Sequence, residues 1–175
     1  MRLSFYSILA AFCLAAAPAR SVTPAHSTNP APLKSAVVRL APDFSIPGIG
    51  GKPRTLRSLR GQAVVLIFAK SVKTKALIKQ AKLLQELYEQ FASRQAIFAV
   101  ALREGDALVP SNIPFSVVSN GAAVAAAYGV QGDFNIAIIG RDGNLDYVTN
   151  KVLAPQRVRD VVQNSFSVQE ALRNH

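Results

Sequence analysis

The sequence has 175 residues, of which 50% are apolar and 17% charged, and its net charge is +10. This composition supplies one ordinary globular core and excludes a wholly disordered chain. Ten glycines and ten prolines are too few for a collagen-like or low-complexity chain. No apolar run approaches the roughly 18 residues typical of a membrane span, so we expect one soluble domain and no transmembrane segment.

The first residues have the organisation of a secretory signal peptide. Arg2 gives a short basic start, Ile8 to Ala17 form an apolar run, and Ala17-Pro18-Ala19 has the small-x-small pattern of a signal peptidase site. The alternative, a buried N-terminal helix, is disfavoured because a helix-hostile stretch follows. We therefore predict a signal peptide over residues 1–19 and a secreted, periplasmic protein.

The rest of the chain is expected to hold a tether, a domain and a short tail. Residues 20–36 contain three prolines among small and polar residues, and this composition favours a flexible tether. The folded domain is predicted over residues 37–166, and the C-terminal tail over 167–175. Cys13, the single cysteine, lies in the predicted signal peptide, so the mature protein would have no thiol and no disulfide.

The first half of the domain predicts a strand, a helix and a second strand. Gln62–Phe68 is a continuous β-branched and aromatic run, typical of a strand buried on both faces of a parallel or mixed sheet. Ala96–Leu102 predicts a second buried strand, and the two are expected to form a right-handed crossover. The helix between them has an apolar stripe at helical spacing, formed by Leu77, Ala81, Leu84, Tyr88 and Phe91.

The second half predicts shorter elements. In chain order they are a strand at Phe115–Val118, a helix at Ala122–Tyr128, a hairpin of Ile136–Ile139 with Leu145–Val148, and a last helix from Pro155. The hairpin is indicated by Asp142-Gly143 at its tip, because that pair favours a tight turn between antiparallel strands.

Four stretches resemble the thioredoxin-like superfamily, and more closely its redoxin and peroxiredoxin-like branch. They are Ala41–Ile46 with Gly51-Lys52-Pro53, Leu59–Phe68, Phe115–Val130 and Ile138–Gly143. The resemblance spans about residues 40 to 165 and implies an α/β fold, a three-layer sandwich in which helices flank a central mixed sheet. A secreted, cysteine-poor bacterial domain family of unknown function in the same superfamily is also similar.

The resemblance implies where a redox centre would lie. After the central strand the branch has a reactive cysteine or a Cys-x-x-Cys pair, and the matching positions here are Lys73, Thr74, Lys75 and Ala76. Before the hairpin strand it has a cis-proline, and the matching residue is Phe134. We therefore predict a vestigial redox loop, no catalytic residue and no cofactor. Phe134 is expected either to fill the groove as a buried plug, which is favoured, or to contact a partner.

Basic residues cluster in the same region. Between Asp43 and Glu86 the sequence has no acidic residue, and it has the basic residues Lys52, Arg54, Arg57, Arg60, Lys70, Lys73, Lys75, Lys79 and Lys82. Like charges at helical spacing destabilise a helix, so helix stability does not explain the cluster. Two interpretations stay open: a solvated basic face, or a site for an anion or acidic partner at Lys70, Lys73, Lys75 and Lys79.

The sequence disfavours several other kinds of functional site. His26 lies in the predicted tether and His175 is the last residue, so no imidazole is positioned for a Ser-His-Asp triad or a metal site. Gly48–Lys52 resembles a phosphate loop but precedes a strand, so we interpret it as a hairpin tip. The basic window lacks interleaved aromatic residues, and no binding to nucleic acid is expected.

These patterns predict a monomeric, secreted thioredoxin-fold protein without a redox centre. We expect it to act as a binding or scaffolding module for a protein or an anionic component of the cell envelope. One alternative is a redoxin-type thiol oxidoreductase or antioxidant protein, which the family resemblance implies. A second is an electrostatic binder of envelope anions, whose affinity would fall steeply with salt.

Overall fold

The computed structural model describes residues 39–91, 96–105 and 107–173. The predicted signal peptide and tether, with Cys13 and His26, lie outside the described residues, as does His175. Seven strands and three α-helices form within the described ranges.

The strands are β1 (Ser45–Ile46), β2 (Arg54–Thr55), β3 (Ala63–Ala69), β4 (Ala96–Leu102), β5 (Ser116–Val117), β6 (Phe134–Ile139) and β7 (Leu145–Thr149). The helices are α1 (Lys75–Phe91), α2 (Gly121–Ala127) and α3 (Pro155–Arg173). Two short 3₁₀ turns lie at Ile49–Gly51 and Leu56–Leu59. Helix α3 continues into the segment 167–175 that the sequence analysis assigns to a tail.

A five-stranded sheet with the order β5-β4-β3-β6-β7 forms the centre of the fold. Strands β3 and β4 are parallel, in the register Ala63↔Ala96, and β5 is parallel to β4. Strands β6 and β7 are antiparallel to their neighbours. The prediction of a mixed sheet is therefore confirmed, and the continuous apolar run of β3 is explained because β3 is the middle strand and all of its residues are buried.

Alternate residues of β3 belong to two separate cores, because successive side chains of a strand point to opposite faces. Val65 and Ile67 belong to a cluster with Leu84 of α1 and Val158 of α3. On the other face, Val64, Leu66 and Phe68 belong to a second cluster, with α2 and the β1–β2 hairpin. Helices thus flank the sheet in a three-layer α/β sandwich.

The observed start of α2 differs from the predicted start, and backbone geometry explains this start and the hairpin turn. Helix α2 begins at Gly121, one residue earlier than predicted. A Cβ atom at Gly121 would lie 2.2 Å from the Leu102 carbonyl oxygen, so α2 packs against the backbone of β4 more closely than other residues allow. At the predicted hairpin tip, Gly143 has a φ of 85°, and the Asp142 carboxylate accepts a hydrogen bond from the Asn144 amide at 3.0 Å.

Candidate functional site

The vestigial redox loop connects the carboxyl end of β3 to α1. Its first residue is held by neighbours on both sides: the Lys70 amide donates to the Asp133 carbonyl at 2.9 Å, and the Lys70 carbonyl accepts from the Glu104 amide at 2.8 Å. The loop therefore lies where the segments after β4 and before β6 converge, at the carboxyl edge of the sheet.

Two hydroxyl side chains shape the turn that opens α1. The Ser71 amide donates to Thr74 Oγ1 at 3.2 Å, and the Lys73 amide donates to Ser71 Oγ at 3.3 Å. The Thr74 carbonyl accepts from the Ile78 amide at 3.1 Å, so Thr74 is the N-cap residue that directly precedes α1. This turn leaves the side chain of Lys73 exposed.

The side chains at the implied cysteine positions cannot perform thiol chemistry. Lys73 is exposed and Ala76 is half-buried, packed against the core cluster. Thiol exchange and peroxide reduction need a thiolate as nucleophile, and neither an amine nor a methyl group replaces it in that role. The positions at which the family resemblance implies a cysteine therefore hold no thiol.

Phe134 is buried, as the sequence analysis favoured. It is the first residue of β6, pairs with Ala69 and is 6% exposed. It belongs to the same core cluster as Ala69 and Leu77, and Val72 of the loop packs against that cluster. An aromatic ring therefore occupies the core beneath the loop.

Acidic side chains from distant segments reach the loop, and the sequence analysis missed them. The Lys70 ammonium lies 3.6 Å from a Glu104 carboxylate oxygen. Beside it, the Arg103 guanidinium lies 3.5 Å from an Asp133 oxygen and donates to the Gly132 carbonyl. Lys70 therefore already has a carboxylate neighbour, which weakens it as a candidate for an anion site.

Within the described residues, three lysines of the predicted site have no such neighbour. Lys73, Lys75 and Lys79 are exposed, and no ion pair to any of them is found between described residues. They lie on the loop and the first turns of α1, and we call them the lysine site. Lys82, further along α1, is also exposed.

The other basic residues of the window lie at the opposite end of β3. Arg54, Arg57 and Arg60 precede the strand, whereas the lysine site follows it. At about 3.3 Å per residue, the strand separates the two groups by roughly 20 Å. The continuous basic window of the sequence is thus two surfaces in the fold.

The described residues include cavities but no candidate metal site and no membrane-spanning helix. No group of three His, Cys, Asp or Glu side chains within them could hold a metal ion. No helix within them is long and apolar enough to cross a membrane. A cavity of about 650 Å³ lies beside the edge strand β5, lined by Leu108 and Phe115 among others, and the lysine site contributes nothing to its lining.

Solved structures with a thioredoxin fold are similar to this chain. One, from Chlorobium tepidum, is assigned as the thiol:disulfide interchange protein DsbE; it is 18% identical, with a TM-score of 0.56 over 75% of this chain and 95% of that one. Peroxidoxin BcpB from Mycobacterium tuberculosis is 21% identical, with a TM-score of 0.53 over 75% and 96% of the two chains. The exposed lipoprotein thioredoxin Etrx1 from Streptococcus pneumoniae is 17% identical, with a TM-score of 0.51 over 70% and 99%.

Structural similarity at 17–21% sequence identity shows only that the fold is shared. Membership of a family is shown by a match to a family's sequence profile. A search of curated proteins gives no match. The sequence profile of the AhpC/TSA family matches residues 37–148, which is more than half of the chain and includes the loop, Phe134 and all of the β6–β7 hairpin except Thr149. The resemblance to the redoxin and peroxiredoxin-like branch is confirmed, and the chain belongs to the AhpC/TSA family.

Proposed function

We propose that this protein is a non-catalytic binding module built on the AhpC/TSA scaffold, and that the lysine site binds an acidic segment of a protein partner. One observation carries the proposal: an exposed lysine, Lys73, occupies the position at which the family resemblance implies the reactive cysteine. A surface that other family members use for chemistry remains accessible here with a different side chain.

The surroundings of the lysine site support binding rather than turnover. Phe134 is buried beneath the loop, so a substrate has no groove at the implied cis-proline position. Lysine ammonium groups on flexible stems interact with carboxylates as point charges and need no fixed geometry. The amino end of α1 adds a partial positive charge next to Lys73 and Lys75.

Crosslinking in the native cell envelope, followed by mass spectrometry, tests this proposal. The wild type is compared with Lys73→Glu/Lys75→Glu/Lys79→Glu. A matched control, Lys52→Glu/Lys82→Glu/Lys151→Glu, makes the same change of charge at three lysines that are also exposed. We expect a discrete partner to be captured by the wild type and the control and lost in the first variant.

Two results would overturn the proposal. If the wild type captures no discrete partner, the lysine site is only a solvated face. If both variants lose the same partner equally, net charge rather than this site determines binding.

A thiol oxidoreductase is the second candidate, and family membership favours it. The similar solved structures include proteins named for thiol:disulfide interchange and peroxidoxin function. Because Cys13 is the single cysteine of the sequence, this activity would need that thiol or one supplied by a partner. Peroxide consumption by the full chain with dithiothreitol, compared with Cys13→Ser, tests whether Cys13 supplies this activity. Turnover that the substitution abolishes would replace the non-catalytic proposal, whereas we expect both proteins to match the blank.

We also propose that residues 1–19 are a secretory signal and that the protein acts in the periplasm. The small-x-small pattern ending at Ala19 supports this location. N-terminal sequencing of protein isolated from the producing cells is expected to begin at Arg20. A chain that retains Met1 and remains with the cytoplasmic fraction would contradict it.

A further inference from the structure

The amino end of β3 carries a second basic surface, formed by Arg54, Arg57 and Arg60. We call these residues the arginine strip. All three are exposed, and between described residues no ion pair to any of them is found. The three lie within seven residues of the sequence and carry the same charge, so their mutual repulsion opposes folding and gives no reason for their presence.

The local backbone determines that the arginine side chains of the strip face solvent. A 3₁₀ turn spans Leu56–Leu59, and residues three apart lie on the same side of such a turn. Leu56 and Leu59 are buried, at 6% and 1% exposure, and anchor the turn to the core. Arg57 lies within the turn and Arg60 directly follows it, and both are exposed. The two leucines thus face the core while the two arginines remain in solvent.

Exposed apolar side chains flank the strip at both ends. Ile49, at the tip of the β1–β2 hairpin, is fully exposed, and Leu40 is 64% exposed. Leu40 lines a cavity of about 110 Å³ together with Arg57 and Arg60. At the other end the Arg54 side chain lies against Gly48, the neighbour of Ile49.

We propose that the arginine strip is a docking surface for a bilayer that contains anionic phospholipids. Guanidinium groups bind phosphate oxygens with two parallel hydrogen bonds, which suits them to lipid headgroups. Exposed apolar residues beside clustered basic residues are the combination that membrane-surface proteins use, with the apolar groups inserted among the lipids. An acidic protein partner would account for the arginines but would leave the fully exposed Ile49 without a role.

One carboxylate opposes this binding. Asp43 lines the same cavity as Arg57 and Arg60, and its Oδ1 accepts the Phe44 amide at 3.1 Å. It lowers the local positive potential, so Asp43→Asn should raise the affinity for anionic vesicles severalfold. An asparagine oxygen can still accept the Phe44 amide, and the fold is therefore expected to be retained.

Sedimentation of the full chain with lipid vesicles tests the proposal. Vesicles of phosphatidylcholine with about 30% phosphatidylglycerol are compared with phosphatidylcholine alone, in 0.1 M salt, where charges screen each other over about 10 Å. Arg54→Gln/Arg57→Gln/Arg60→Gln is compared with the matched variant Lys73→Gln/Lys75→Gln/Lys79→Gln. Both retain the N-terminal segment, so any membrane affinity of residues 1–38 is common to them.

We expect the arginine variant to lose about 100-fold in affinity for the anionic vesicles, since each basic residue near such a surface contributes about fivefold. The lysine variant should change little, because its charges lie roughly 20 Å away, about two screening lengths. Equal losses in the two variants, or equal binding of wild type to both kinds of vesicle, would overturn the proposal. Failure here leaves the lysine site untouched, because the two surfaces are tested by separate variants.

Two further measurements separate a membrane from other phosphate sources. Ile49→Ser should weaken vesicle binding severalfold at unchanged charge, and an unchanged affinity would contradict docking by insertion. Inorganic polyphosphate is the probe for a soluble ligand. If it binds with the same dependence on the strip while vesicles do not, the ligand is a free phosphate chain and the membrane proposal fails.

Discussion

The two ends of the central strand β3 differ in the burial and ion pairing of the side chains around them. At the carboxyl end, Phe134 and Gln80 are buried and Lys70 has a carboxylate neighbour. At the amino end, the arginine strip is exposed beside exposed apolar residues. The side chains at the carboxyl end are therefore explained by packing and by an ion pair, whereas the amino end carries features that packing does not explain.

Burial at the carboxyl end depends on two side chains from different elements. Phe134 lies on β6, in the core beneath the loop. Gln80, on α1, donates from Nε2 to the Leu153 carbonyl at 3.0 Å and accepts from the Leu153 amide at 2.7 Å. These contacts join α1 to the chain that enters α3, so they hold the lysine site on a rigid base.

Among the substitutions that test this comparison, replacing Phe134 should change stability most. Phe134→Ala should lower the free energy of unfolding by about 3 kcal/mol, because it leaves a cavity in the core beneath the loop. Urea denaturation followed by circular dichroism measures the change. Phe134→Leu is the control, and it should restore most of the loss because it refills much of the volume.

The alternative role of Phe134 gives the opposite result. If the ring contacts a partner, Phe134→Ala would leave the denaturation midpoint nearly unchanged and abolish partner capture. That outcome would place function, rather than packing, at the implied cis-proline position.

Removing the polar group of Gln80 should have the next largest effect. Gln80→Leu keeps the volume but leaves the buried amide and carbonyl of Leu153 without their partner, which should cost about 2 kcal/mol of stability. Gln80→Glu can still accept from the Leu153 amide but loses the donor, and it buries a carboxyl group as well. Denaturation curves for both variants that overlay the wild-type curve would show that water replaces the glutamine.

Much of the fold could be predicted from the sequence because the strongest patterns are local. The apolar run of β3 and the stripe of α1 are contiguous or periodic, and burial confirms Leu77, Ala81 and Leu84 of that stripe. Leu87 and the fully buried Gln80 also belong to the inward face. A glutamine at the spacing of an apolar stripe indicates a buried polar side chain that needs a hydrogen-bond partner. The partner, Leu153, lies 73 residues away, and no local pattern in the sequence identifies that residue.

The candidate site was harder to predict for the same reason. The sequence predicts Lys70 as part of the same anion site as Lys73, because nothing near it in sequence indicates its ion pair with Glu104. The loop after β4 brings these two residues together. The division of the basic window into two surfaces, in contrast, follows from β3 alone. Because the predicted strand lies between Arg60 and Lys70, residues that precede it and residues that follow it must lie at opposite ends of that strand.

A cysteine placed at the vestigial position measures what the carboxyl end has retained. In a Cys13→Ser background, Lys73→Cys should have a thiol pKa below the ordinary value of about 8.5, because the amino end of α1 and Lys75 favour the thiolate. We expect alkylation by iodoacetamide at pH 7 to be about tenfold faster than for Val148→Cys, an exposed position on β7. Equal pH profiles for the two thiols would show that the amino end of α1 and Lys75 do not favour a thiolate at this position.

The smallest expected effect concerns Tyr128, which holds the chain that leads into β1. Its hydroxyl donates to the Pro42 carbonyl at 2.9 Å, and its ring lies 5.0 Å from that of Phe68. Burial, and then the negative charge of Asp43, raise the pKa of Tyr128 above its ordinary value near 10. A raised pKa means that the unfolded chain releases this proton first, so the contribution to stability is complete below pH 10 and declines above it.

Tyr128→Phe should therefore act differently at neutral and alkaline pH. At pH 7 the lost hydrogen bond should cost about 1 kcal/mol of stability. Above pH 10 the wild type loses stability through ionisation of the unfolded tyrosine and the variant does not, so the difference should shrink as the pH rises. Denaturation midpoints between pH 8 and 11, with Tyr147→Phe as the matched control, test the sign. A difference that stays constant over this range would mean that water reaches the Tyr128 hydroxyl, and that the chain around Pro42 is held less firmly than its contacts indicate.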